Sequence, residues 1–246
     1  MATFLLIHGA NLGGWCWRLI TPSLRFAGHE VYAPSLTGCG DRSHLLSPQI
    51  GLDTWVEDVA SLMWHEDIDN LVLVGHSNAG VVALGAANRM PERVAHIVAI
   101  DSVLPAAGQS IWDALAPDAR EWMQRNLDLI GETWKSPPAP LEGWVEMARA
   151  EGWNEVIGRW AGQRAGWSPL KPLKDALTLK PSEAFDKLPK TFVRCVRAHA
   201  PGSDLSAAAR EAGWDVVELA AGHLPMLGAP RELTDLLLQI AAPYGA

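Results

Sequence analysis

Ser77 and His223 have the surroundings that chemistry needs. Ser77 lies in Gly75-His76-Ser77-Asn78-Ala79, after the apolar run Leu71-Val72-Leu73-Val74 and before a segment rich in small residues. The run suits a strand buried on both faces of a parallel sheet. The small residues let strand and helix approach closely around a serine on a sharp turn. The last position of Gly-x-Ser-x-Gly carries an alanine methyl, a departure small enough to fit; a serine that merely caps a helix would not need these flanks. A serine hydroxyl is a weak nucleophile until a base takes its proton. Of the eight histidines, His223 follows the strand-like Trp214 to Leu219 through Ala220-Ala221-Gly222 and precedes the last helical pattern. It therefore belongs in a loop at the same sheet edge as Ser77, where the pair could carry out nucleophilic catalysis.

His8-Gly9-Ala10 ends the first strand pattern and offers a third part. If the backbone bends there, the N–H of Ala10 pairs with that of Asn78 as an oxyanion hole, in which one donor is typically worth about 3 kcal/mol of transition-state stabilisation. His8 reads as a residue that orders this loop, and His76 as one that packs or hydrogen-bonds locally. His29, His44, His65, His96 and His199 lack a comparable setting.

Positioning these residues takes a large scaffold, and 246 residues with 48% hydrophobic content suffice for one α/β domain. Strand patterns at 4–7, 31–33, 71–74, 94–100, 191–196 and 214–219 alternate with helical ones at 17–26, from Asp53 or Thr54 onward, at 79–88 and at 205–212. A final helix begins at Pro230, with Leu233, Leu236, Leu237 and Ile240 on one face. The alternation stops between Ser102 and Phe185. That stretch holds Trp112, Trp122, Trp134, Trp144, Trp153, Trp160 and Trp167, and is broken by Pro137, Pro138 and Pro140. It reads as a helical cap, 102–185, inserted in a core formed by 1–101 and 186–246. Such a cap would lie over the crevice where α/β sheets bind ligands. Some of its tryptophans, with Trp112, Trp122 and Trp134 as candidates, could line an apolar pocket; any single one more often packs the cap onto the core.

The net charge of −8 and the lack of a Lys/Arg cluster argue against nucleic acid or an anionic membrane as partner. The N-terminus lacks a basic region before its apolar residues, so a cytoplasmic location is expected. Cys16, Cys39 and Cys195 are few and widely spaced, which fits reduced core thiols and no zinc pattern. The expected partners are a small-molecule substrate and, at most, a second copy of the chain in a homodimer, with no metal.

His8-Gly9-Ala10 with Gly13-Gly14-Trp15-Cys16-Trp17, then Gly75-His76-Ser77, then Gly222-His223-Leu224-Pro225-Met226-Leu227, together resemble the α/β-hydrolase superfamily and, within it, the plant methylesterase and hydroxynitrile lyase branch. The resemblance spans nearly the whole chain and is weakest in the cap. It implies an α/β-hydrolase fold, a mostly parallel central sheet flanked by helices with an inserted helical cap. It further implies a triad of serine, acid and histidine, the Ala10 and Asn78 amides as oxyanion hole, and no cofactor. Members of the branch hydrolyse small carboxylic esters or cleave cyanohydrins.

The acid departs from the branch pattern, which places an aspartate just after the strand at 191–196. The residues there are Arg197-Ala198-His199-Ala200-Pro201-Gly202-Ser203-Asp204. Asp204 could fold back, yet it equally resembles a helix cap. Asp101 follows the 94–100 strand, where some α/β-hydrolases carry their acid. A serine–histidine dyad is the third option. The S-selective lyases of the branch have a threonine at the position of Gly9 and a lysine at that of Leu224, and this chain lacks both. The reading favoured is therefore a serine hydrolase for a small apolar or aromatic carboxylic ester. A cofactor-free lyase on the same triad, or a non-catalytic small-molecule receptor on the same fold, are the alternatives.

Overall fold

The computed structural model describes residues 1–106, 108–198 and 204–245, without the side chain of Trp122. In chain order the first half runs β1 (Thr3–Ile7), α1 (Thr21–Phe26), β2 (Glu30–Tyr32), α2 (Leu52–His65), β3 (Leu71–His76), α3 (Ala79–Arg89) and β4 (Val94–Ile100). The middle holds α4 (Ile111–Ala114), α5 (Pro117–Ile130), β5 (Lys135–Ser136), α6 (Leu141–Glu151), α7 (Glu155–Gly162), β6 (Ser168–Pro169), α8 (Lys171–Lys174) and α9 (Glu183–Asp186). β7 (Lys190–Cys195), α10 (Ala207–Glu211), β8 (Asp215–Leu219), α11 (Pro225–Gly228) and α12 (Pro230–Ala241) follow.

Six strands form one sheet in the order β2-β1-β3-β4-β7-β8, and every pair in it is parallel. Central strands buried on both faces need continuous apolar runs. All six residues of β3 are buried, as are the last five of β4. A fully buried valine or leucine contributes about 1.5–3 kcal/mol, so these runs fix the register firmly. One core cluster, with Leu5, Leu73, Val82 and Ile97, packs α2 and α3 on one face. Another, with Phe4, Val74, Val98 and Leu233, packs α12 and the segment around Trp17 on the other. Every residue of α3 except Arg89 is buried, which accounts for its small residues.

Two regions depart from the patterns in the sequence. The 17–26 segment is not one helix: a 3-10 turn at Gly14–Leu19 is followed by α1, whose first turn contains Pro22. Proline has no N–H to continue the preceding turn, so the helix restarts there. The middle region is mainly helical but also contains an antiparallel pair, β5 with β6, in which Ser136 faces Ser168. α5 ends at Gly131 in left-handed conformation (φ 68°), and Pro140 sits at the N-cap of α6. Among the described residues no helix is long and apolar enough to cross a membrane.

Candidate active site

Sheet register brings the candidate residues to one edge. Ile7 lies opposite Gly75, His76 opposite Ile100, and Ile100 opposite Val193. The residues next along these strands therefore leave the sheet together at their C-terminal ends. Ser77 N–H donates to Ile100 O at 2.9 Å and Asp101 N–H to Val193 O at 2.8 Å. The strand ends are thus tied to one another where the chain turns.

Among the described residues five non-glycine residues have positive φ, and three belong to this edge: Asn11 (62°), Ser77 (55°) and Asp101 (46°). Holding a non-glycine residue there costs on the order of 1–3 kcal/mol and persists only where the surroundings enforce it. At Ser77 the enforcement is the tight passage from β3 into α3. A Cβ on Gly75 would collide with the Ala79 carbonyl, so strand and helix meet at a distance only glycine allows. Ser102 Oγ–H donates to the Ser77 carbonyl at 2.5 Å and holds the turn from the β4 side.

Ser77 Oγ–H donates to His223 Nε2 at 3.1 Å, and His223 Nδ1–H donates to Asp101 Oδ2 at 2.6 Å. One tautomer satisfies both bonds. The Asp101 side chain is completely buried, whereas that of His223 is 36% exposed. Asp101 Oδ1 accepts Cys195 N–H at 3.4 Å. The structure brings Asp101 to His223 and places Asp204 elsewhere. Asp204 accepts from Ser206 N–H at 2.9 Å and from Ser206 Oγ–H, and pairs with Arg210 at 2.6 Å and Arg194 at 3.4 Å. The bond to Ser206 and the Arg210 guanidinium hold its carboxyl at about 2. Asp204 thus serves the turn before α10.

The loop after β1 passes directly over the serine. A Cβ on Gly9 would lie 2.9 Å from Ser77 Cβ and 2.8 Å from His76 Nδ1. Gly9 therefore lets the backbone carrying the Ala10 amide approach Ser77. Asn78 is the N-cap of α3, where helix geometry leaves the first amides without an intrahelical acceptor. His8 anchors the same loop: its Nε2 accepts Leu36 N–H at 3.0 Å and its Nδ1–H donates to Gly9 O at 2.8 Å. Burial lowers its pKa to about 4, so it holds these bonds as a neutral ring.

His76 does more than local packing. Its Nε2–H donates to the His223 carbonyl at 2.7 Å, and the two rings lie 4.8 Å apart. Burial, reinforced by the neighbouring His223, lowers its pKa to about 3. No sequence signal beyond adjacency to Ser77 marks it as support for the loop that carries His223. Glu151, at the end of α6, is a second addition. Its carboxylate lies against Gly222, leaving no room for a Cβ there, and accepts Trp153 Nε1–H at 3.1 Å. Burial raises its pKa.

Two of the three candidate pocket tryptophans lie against lysines. Lys174 Nζ lies 4.8 Å from the Trp112 ring centroid and Lys135 Nζ 5.2 Å from that of Trp134; the side chain of Trp122 is outside the described residues. Beside the loop that carries His223, Glu151, Trp153, Ala221 and Gly222 help line a cavity of about 220 Å³. A groove of about 770 Å³ between α2, α3 and the 171–180 segment shares no residue with the Ser77–His223–Asp101 chain.

The model of the alpha/beta hydrolase family matches residues 4–236, and the chain belongs to that family. It is 32% identical to a carbendazim hydrolyzing esterase of Nocardioides sp. (strain SG-4G) over 96% of this chain and 98% of that protein. It is 26% identical to methylesterase 3 of Arabidopsis thaliana over 98% and 96%. In structure it resembles an extracellular alpha/beta-hydrolase from a Paenibacillus species, with a TM-score of 0.82, 22% identity and coverage of 97% and 98%. It also resembles the Arabidopsis methylesterase MES16, with a TM-score of 0.72, 18% identity and coverage of 98% and 99%. The likeness to the plant methylesterase branch, read from short motifs, therefore extends over the whole chain.

Proposed function

We propose that this chain, a carboxylic ester hydrolase of the alpha/beta hydrolase family, works through Ser77 as nucleophile, His223 as general base and acid, and Asp101 as the carboxylate that orients His223. The observation that carries the reading is the continuous chain Ser77 Oγ to His223 Nε2 and His223 Nδ1 to Asp101 Oδ2, at 3.1 and 2.6 Å.

In the acylation step Ser77 Oγ bonds to the ester carbonyl carbon, its proton passes to His223 Nε2, and the carbonyl electron pair moves onto oxygen. The Ala10 and Asn78 amides hold that oxyanion. Collapse breaks the bond to the alkoxy oxygen, which leaves as the alcohol with the proton from His223. Water then attacks the acyl carbon and gives its proton to His223, which returns it to Ser77 as the acid departs. Asp101 stays ionised, holds the ring in one tautomer and stabilises the imidazolium.

The middle region, 102–185, acts as a cap over this edge, and the substrate is a small apolar or aromatic ester. The tryptophans near the edge support that preference: Trp153 reaches the base loop through Glu151, and Trp15 meets Trp160 edge-on at 5.3 Å. The lyase alternative gains nothing from Gly9, where a side chain would press on Ser77. Labelling with a fluorophosphonate, mapped by mass spectrometry, tests the reading beside hydrolysis of p-nitrophenyl butyrate. The expected result is modification of Ser77 and ester turnover; a protein that turns over ester with Ser77 unmodified would sink it.

A further inference from the structure

The loop that carries the Ala10 amide is held from both sides. His8 fixes the Gly9 carbonyl from the core side. On the other side the fixing group is Asn11, whose side-chain Nδ2 donates both protons to cap carbonyls, to Ser136 O at 3.1 Å and to Gly166 O at 2.8 Å. The Asn11 carbonyl in turn accepts Gly166 N–H at 3.0 Å. Ser136 belongs to β5, and Gly166 lies two residues before β6. One residue therefore stitches the turn after β1 to β5 and to the segment just before β6. Trp15, four positions on, adds an apolar contact with Trp160 of α7.

The residue type suits this task. The backbone is left-handed, which asparagine tolerates better than most side chains, and a carboxamide alone combines that tolerance with two N–H donors. Aspartate has the same shape but would set carboxylate oxygens against two carbonyls. Glycine accepts the backbone angle and offers no donor.

We propose that Asn11 is a positioning residue that makes the Ala10 oxyanion donor depend on the docked β5–β6 pair, so that acyl transfer is supported only while the cap sits on the core. This rests on the assignment of Ala10 and Ser77 proposed above. Because the Ala10 amide acts on charge that develops in the transition state, its displacement lowers kcat and leaves KM nearly unchanged.

The test compares the native protein with N11D and N11G in p-nitrophenyl butyrate hydrolysis and in inhibition by an aryl trifluoromethyl ketone. That ketone adds to Ser77 as an oxyanion-bearing hemiketal. Both variants are expected to lose about 30-fold or more in kcat, with KM within about twofold, and inhibition should weaken by a similar factor. If N11D unfolds, as thermal melting would reveal, N11G decides, since glycine keeps the backbone angle. Native-like kcat and inhibition in N11G would mean that only the angle matters and would overturn the proposal. A rise in KM at constant kcat would overturn it too, as a sign of lost substrate contact. Those outcomes leave the triad intact, whereas a native protein inert to both ester and fluorophosphonate removes the triad and this inference together.

Discussion

Two carboxylates follow strands of the sheet, Asp101 directly after β4 and Asp204 well beyond β7, and they are held in opposite ways. At the end of β4, Asp101 is completely buried, turned to positive φ, tied through its backbone to β7 and aimed at one nitrogen of one histidine. Beyond β7, Asp204 is 39% exposed and shares its two oxygens among a turn and two arginines. The first arrangement concentrates a charge on one direction, since a buried carboxylate needs a partner and here has an oriented one. The second disperses charge into solvent, where ion pairs contribute about 1 kcal/mol or less. Proximity to the sheet edge therefore does not by itself pair a carboxylate with His223. Burial together with a bond directed at His223 Nδ1 is what separates the two.

The comparison breaks first at its centre. Ser77→Ala removes the proposed nucleophile, and kcat for p-nitrophenyl butyrate should fall on the order of 10⁶-fold, leaving only what binding and the proposed oxyanion donors give. Asp101→Asn keeps the shape but favours the wrong tautomer of His223, and kcat should fall about 10⁴-fold. Steady-state kinetics checks both. A loss of less than about tenfold for Asp101→Asn would return the acid role to Asp204 or to a dyad.

His76 sharpens the contrast because activity and acid stability should move in opposite directions. His76→Phe removes the donor to the His223 carbonyl, and the resulting shift of the base loop should cost roughly 10- to 100-fold in kcat. Burial, before any other cause, lowers the His76 pKa to about 3 in the fold from 6.5 outside it. Below pH 6.5 the unfolded chain binds a proton that the folded chain refuses, so stability contributed by the neutral ring is lost as pH falls from 6.5 toward 3. Phenylalanine cannot take that proton. Urea unfolding followed across this range should show a flatter pH profile in the variant than in the native protein. Equal slopes would mean that His76 is not held neutral.

What could be read from the sequence, and what could not, follows the same division between local and distant causes. The strand before Ser77 was legible because four apolar residues in a row have few other homes, and Gly75 and Ala79 carry the close strand–helix contact in their own identities. His223 was legible from its place between a strand and a helix. The choice between Asp101 and Asp204 was not. In the sequence each is an aspartate near an element boundary, and the distinction arises only when Ile100 pairs with Val193 and the ends of β4 and β7 come together. The β5–β6 pair was illegible for a similar reason: each strand has two residues, too few for a period, and its partner lies far along the chain. The break before α1 is different. Pro22 stood in the sequence as its cause, but the continuous apolar spacing from Trp17 to Phe26 outweighed it.

The smallest expected effect belongs to the other carboxylate. Asp204→Asn should leave kcat within about twofold, because no bond links this carboxylate to His223, and should lower stability modestly. Losing the capping and arginine contacts is worth about 1 kcal/mol at most for a side chain this exposed. The pH dependence gives the assignment its sign. The fold holds the Asp204 carboxyl at about 2, through Ser206 and Arg210, below the value of about 3.9 usual for an unfolded aspartate. Its contribution is therefore fully present above about pH 4 and disappears as pH falls toward 2. Native and variant melting temperatures should differ above that window and converge below it. A large loss of activity in Asp204→Asn at unchanged melting temperature would contradict this division of labour, because it would require the exposed carboxylate to act on the site across a network that points away from it.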